Sequence, residues 1–256
     1  MKDKQLDLES DIFKMAGDPM SSAIDAACIL GRHLDENFDT GYCRSEIAKI
    51  TKACPQTMEP WVFLKQIGFS GMGGIADTIA GSRLDIVLQK KEGLPISLGI
   101  LLLEICKERG HFVQGINFPG HFLVRIDQRL IDPVSMEETT EENCLDSIDS
   151  RLRKNAFKEA DATAIFLRML NNIKYYYATH DLWELAIRAV NAQLVIQPNN
   201  EILLVEQGDF WCEIGAISAA RECFIGVLEL VGQQESDIQQ LVLSRLANLP
   251  PGPRLH

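Results

Sequence analysis

Residues 96–106, ISLGILLLEIC, hold one acidic side chain in eleven positions, and they are the strongest constraint on the fold. The run is about half of the ~20 residues that a bilayer span needs. It therefore reads as a helix buried on nearly every side in the core of a folded domain. Pro95 suits its first turn, where the missing N–H would be unpaired anyway. Lys107 and Arg109 suit its last turn, where cations meet the negative end of the dipole, and Gly110 is a natural stop. A helix of this kind has to be enclosed by other elements, and the rest of the chain must supply them.

The segments before it are mainly helical. Ser21-Ser22 can cap a helix through Ile24, Ala27, Cys28 and Leu34, and Ser45 can cap a short one through Ile47 and Ile50. Trp61, Leu64 and Ile67 lie at helical spacing, as do Ile79, Leu84, Val87 and Leu88 between Asp77 and Lys90. Gly68 to Gly74 holds four glycines in seven residues and reads as a loop. It lacks the GxxxxGK[ST] phosphate cradle, so nucleotide binding there is not expected.

After Gly110 the period changes from helical to alternating. Residues 112–118, 121–126 and 129–131 read as three short strands, with turns at Pro119-Gly120 and Asp127-Gln128. The middle strand puts His121, Leu123 and Arg125 on one face, with Phe122, Val124 and Ile126 on the other. A two-residue turn at 127–128 sets Asp132 beside His121, within reach of an imidazole–carboxylate hydrogen bond. Such a pair is the base and its orienting partner in a Cys-His-Asp triad, although the same pair can serve a structural role alone. Residues 137–158 are acidic and poor in apolar side chains, and they read as a partly helical, solvated connector.

From Ala162 on, the pattern is helical and repeats. Tyr177 and Trp211, Ala186 and Ala220, Leu170 and Leu204, and Leu194 and Leu228 are pairs at a separation of 34, the tetratricopeptide period. The expected organisation is a helical and small-sheet domain over 1–160, two tetratricopeptide-like helical hairpins over 161–248, and a flexible tail over 249–256.

The formal charge of −11 leaves no clustered basic surface, so nucleic acid is not an expected partner. The first ten residues lack the apolar stretch of a signal peptide, so a cytoplasmic location and no membrane association are expected. Seven cysteines without a CxxC pair read as free thiols, and the scattered histidines give no metal-ligand spacing. No metal and no cofactor is expected.

The segments KKEGLPISLGILLLEICKERG (90–110), INFPGHFLVRI (116–126), LIDP (130–133) and RMLNNIKYYY (168–177), with FLKQIGFSG (63–71) upstream, carry a resemblance. In this order and spacing the chain resembles a bacterial family of transglutaminase-like proteins with C-terminal tetratricopeptide repeats, labelled an invasion-regulator B type. The resemblance implies an α+β, mainly helical fold: a papain-like, transglutaminase-like core with a small antiparallel sheet, then an all-α C-terminal region. It also implies a nucleophilic Cys about fifteen residues before Gly110. That count reaches Pro95, which has no nucleophile. Cys106 is eleven residues further along, about 16 Å away on a helix.

Two functions follow. The first is a non-catalytic protein that binds a protein or peptide partner, possessing a residual His121–Asp132 pair and no nucleophile at 95. The alternative is a cysteine-type acyl-transfer enzyme that takes its nucleophile from elsewhere, with Cys43 and Cys54 as candidates. Ser97 is a binding candidate that points to a different face from residue 95, and it also reads as a first-turn hydroxyl bonded to backbone. Arg125 joins the binding candidates as a member of the His121 face. Arg168, Asn171 and Asn172 read as a polar cluster, either a buried network between the two domains or part of the His121 pocket.

Overall fold

The computed structural model describes residues 2–72, 78–232 and 236–250. Gly73, Gly74 and Asp77, and all but Leu249 and Pro250 of the expected tail, lie outside the described residues. The chain divides into two compact units, Met1–Met169 and Leu170–His256. The division falls within a helix rather than at the 160/161 boundary expected from sequence.

In the first unit, helices α1 (Lys2–Gly17), α2 (Ala23–Leu34), α3 (Thr40–Ala53) and α4 (Pro60–Gln66) precede a short strand β1 (Ser70–Gly71). Ser22 caps α2 through a capping box with Asp25. Helix α3 begins earlier than expected because Asp39, not Ser45, caps it by accepting from the Tyr42 N–H. The expected single helix over 77–90 is two short ones, α5 (Thr78–Ser82) and α6 (Leu84–Lys90). Arg83 leaves the helical region between them, with φ −83° and ψ 110°. Strand β2 (Glu92–Gly93) runs parallel to β1.

Helix α7 (Pro95–Glu108) follows the sequence expectation closely. Ten of its fourteen residues are buried, from Ile96 through Leu103 and then Ile105 and Cys106. Gly110, at φ +85°, ends it in the left-handed region that glycine enters without a steric penalty.

The sheet is larger than the three strands read from the sequence. Its order is β6-β5-β4-β3-β7, all antiparallel, with β3 (Val113–Ile116), β4 (Leu123–Ile126), β5 (Arg129–Asp132), β6 (Glu137–Thr139) and β7 (Glu159–Ala160). The turn at 127–128 is the expected two-residue one, with Ile126 opposite Arg129. Asp127 takes φ +54° there, as such a tight hairpin requires.

One outer strand, β6, comes from the stretch read as a solvated connector, and the other, β7, follows directly after it. That stretch also forms α8 (Glu141–Leu145) and a 3-10 turn over Ser150–Asn155. Its acids are largely tethers. Glu137 pairs with Lys65, Glu138 with Arg129, Glu141 with Arg125 and Asp146 with Arg153.

The two sheet faces are covered differently. Phe122 packs into α7, where a Cβ on Gly99 would lie 2.5 Å from its ring. A Cβ on Gly115 would meet the same ring at 2.8 Å. Both glycines are therefore needed for the close approach of helix, strand and ring. On the opposite face Ile116, Phe118, Leu123 and Leu130 form a smaller apolar cluster, covered by Cys144, Leu145, Ile148 and Phe157.

Helix α9 (Ala162–Thr179) carries the chain into the second unit, which contains α10 (Trp183–Ile196), α11 (Glu201–Glu213), α12 (Ile217–Val231) and α13 (Asp237–Asn248). The 34-residue period is visible in the backbone. The Leu182 N–H donates to the Tyr177 carbonyl at 2.9 Å, and the Ala216 N–H donates to the Trp211 carbonyl at 2.9 Å. Asp181 and Gly215, again 34 apart, hold positive φ in these two turns. Ala186 and Ala220 are both fully buried, in α10 and α12. Among the described residues, no helix is long and apolar enough to cross a membrane.

Candidate functional site

The site is built on the turn that enters β4. Residues Phe118 to His121 close through the His121 N–H, which donates to the Phe118 carbonyl at 3.1 Å. Gly120 sits at φ +73° within it. The Arg168 guanidinium anchors the turn from behind, donating through Nη1 to the Phe118 carbonyl (2.8 Å) and to Asn117 Oδ1. Burial pushes the Arg168 pKa down. With no carboxylate among its bonded partners, its role here is to hold backbone.

Strand β5 delivers the second group. One rung beyond the Val124–Ile131 pair, Asp132 lies beside His121. The imidazole Nε2 is 2.8 Å from Asp132 Oδ1, and the same oxygen accepts from the Val134 N–H at 2.8 Å. Burial works to raise the Asp132 pKa, but the hydrogen bond from His121 and those from the Val134 and Ser135 backbone outweigh it. The net result lies below the ordinary carboxylate value, so the group is ionised at neutral pH. An ionised acceptor puts the proton of a neutral imidazole on Nε2 and leaves the lone pair on Nδ1.

His121 and Asp132 line a cavity of about 380 Å³. Its polar wall includes Thr139, Asn143, Cys144 and Ser147, and its floor is Phe118, Leu123 and Ile148. The Cys144 Sγ is 3.7 Å from Thr139 Oγ1. Cys144 is half-buried on α8, which Thr140 caps by accepting from the Asn143 N–H. The cavity is thus formed between the strand ends and the α8 segment, on the sheet face opposite α7.

The expected residues separate accordingly. His121 and Asp132 come together as read. Pro95 opens α7, whose N-cap Leu94 offers no side-chain cap, and no residue of α7 lines the cavity. Ser97 departs from its expected role: its side chain is fully buried, and its Oγ has no hydrogen-bond partner. Arg125 lies on the His121 face, but its Nη2 is 2.8 Å from Glu141 Oε1 and the residue does not line the cavity. Arg168 anchors the His121 turn in the first unit, whereas Asn171, at an exposed position in the second, accepts from Gln193 Nε2 at 2.9 Å. Asn172 is half-buried in the second unit.

Thr139, Asn143, Cys144 and Ser147 are absent from the sequence reading. A signal was present: Cys144 and Ile148 are an i,i+4 apolar pair within an acidic run, the mark of a segment that covers something. Burial pushes Cys43 and Cys106 up to about 12 and raises Cys28 and Cys54. In the second unit burial raises Cys212 and takes Cys223 to about 11. Among the described residues, no three His, Cys, Asp or Glu side chains converge to hold a metal ion.

Residues 56–171, which contain this whole site, match the family model described as Transglutaminase-like superfamily. The chain is similar to bacterial proteins named UPF0162 and SirB1. It is 28% identical to a UPF0162 protein of Xylella fastidiosa (strain 9a5c) over 206 residues, covering 74% of this chain and 73% of that protein. Over 158 residues it is 25% identical to a UPF0162 protein of Vibrio cholerae, covering 57% and 58%. Protein SirB1 of Salmonella typhimurium is 26% identical over 165 residues, covering 60% and 61%. No solved structure matches the chain.

Proposed function

We propose that this is a non-catalytic transglutaminase-like protein of the cytoplasm that binds a protein or peptide segment. The binding elements are the His121 cavity and the helical hairpins of the second unit, read as tetratricopeptide-type repeats of 34 residues. What supports the reading is the resemblance's residue count, which reaches Pro95 where a nucleophilic Cys is implied. A thiolate at the start of a buried helix is activated by the dipole, and a pyrrolidine ring in that place can neither attack a carbonyl nor hold an acyl group. The retained His121–Asp132 pair then serves recognition. An Nδ1 lone pair, the hydroxyls of Thr139 and Ser147 and the Asn143 amide offer both donors and acceptors to a peptide backbone.

Panning a displayed random-peptide library against the full chain tests this. The expected result is an enriched peptide whose affinity falls at least about tenfold in Asn143→Ala or His121→Ala, as loss of buried polar contacts implies. No enrichment, or peptides indifferent to both substitutions, overturns it.

One observation favours the alternative of cysteine-type acyl transfer: Cys144, outside α7, lines the same cavity as His121. Incorporation of dansylcadaverine into dimethylcasein separates the two readings. Amine incorporation that disappears in Cys144→Ser supports the enzyme, and none above background supports the binding protein.

A further inference from the structure

We infer that the His121 cavity is a thiol-modification site, in which Cys144 exchanges with low-molecular-weight disulfides and the adduct fills the cavity. The inference stands apart from peptide binding, because it concerns the reactivity of one sulfur and not the affinity of the walls.

Three observations meet here. The Cys144 thiol opens into a cavity of about 380 Å³, large enough for a small adduct. The same cavity contains an imidazole whose Nε2 is held by an ionised carboxylate, which directs the Nδ1 lone pair to other work. The polar wall of Thr139, Asn143 and Ser147 can bond the amide and carboxylate groups of a small peptide disulfide. Cys28, Cys43, Cys54 and Cys106 are closed off by packing.

The step balances without a further reagent. The Cys144 proton passes to His121 Nδ1, and the thiolate attacks one sulfur of the incoming disulfide. One S–S bond forms as the other breaks. The departing thiolate takes the proton back from the imidazolium. The protein thiol is oxidised to a mixed disulfide, and half of the reagent is reduced to free thiol.

Timed incubation of the full chain with oxidised glutathione, followed by site-resolved mass spectrometry, tests it. The Cys144 adduct should form at least about tenfold faster than an adduct at any other cysteine, and His121→Ala should slow it about tenfold, at the low end of what a positioned base contributes. Cys106 is fully buried and reports on folding within the same sample. Should it become labelled in His121→Ala, Asp132→Asn replaces that variant, with slowing again expected. Another cysteine reacting as fast as Cys144, or an unchanged Cys144 rate in the folded variant, overturns the inference. A failed peptide selection leaves these rates untouched, so the two proposals fail separately.

Discussion

On one face of the five-stranded sheet, Phe122 fills the notches left by Gly99 and Gly115 and meets the buried helix α7. On the other, Leu123 and His121 meet the five-residue helix α8 and the residues just after it. Adjacent residues of one strand thus face a dry, tightly packed interior and a cavity. The dry face gains stability from close contact and tolerates little change. The thinly covered face gives up some of that packing and keeps room for a ligand. His121, Asp132 and Cys144 lie on the second kind of face.

The largest test of this contrast is Phe122→Ala, which should destabilise by about 3–5 kcal/mol, as large-to-small changes at close-packed aromatic sites do. Equilibrium denaturation measures it. A loss near 1 kcal/mol would mean that the α7 face is no better packed than the other.

Asp132→Asn should cost about 1–2 kcal/mol at neutral pH, the size of a charge-assisted hydrogen bond in a half-buried place. The sign with pH is definite. The folded-state pKa of Asp132 lies below its unfolded value, so its stabilisation is complete above the ordinary carboxylate value near ~3.9 and is lost as pH falls through the folded value. Stability curves of wild type and variant should therefore converge in strong acid. Curves that stay parallel would show that the carboxylate does not stabilise the fold through its charge.

Ser97→Ala removes a buried hydroxyl with no partner and should leave stability unchanged or raise it by about 0.5–1 kcal/mol. A loss would reveal a polar contact on the dry face. The smallest effect is expected at the Arg125–Glu141 pair, whose Glu is 54% exposed. A double-mutant cycle should give about 0.2–1 kcal/mol, diminishing with added salt.

Legibility followed the strength of periodic signals. Helix α7 was readable almost to the residue because an apolar run, a first-turn proline and a terminal glycine agree. The His121–Asp132 contact was readable because a two-residue turn fixes register. Strands β6 and β7 were not, since short edge strands rich in Glu carry no apolar alternation. The Cys144–Ile148 pair gives only a faint signal within its acidic run. The acids around it looked like solvated surface, while their partners Lys65, Arg125, Arg129 and Arg153 lie up to 72 residues away and leave no local pattern. The orphaned Ser97 hydroxyl could not be read at all, because satisfaction of a side chain depends on what surrounds it in space.

The paired turns at Asp181 and Gly215 have a consequence for how such a chain can change length. Because the same hydrogen-bonded corner recurs after 34 residues, an insertion or deletion of one whole period joins like to like and needs no new connection. Any other length forces a helix to start out of phase with its neighbour. Growth or loss at this end of the molecule is therefore quantised, and the natural increment is one helical hairpin.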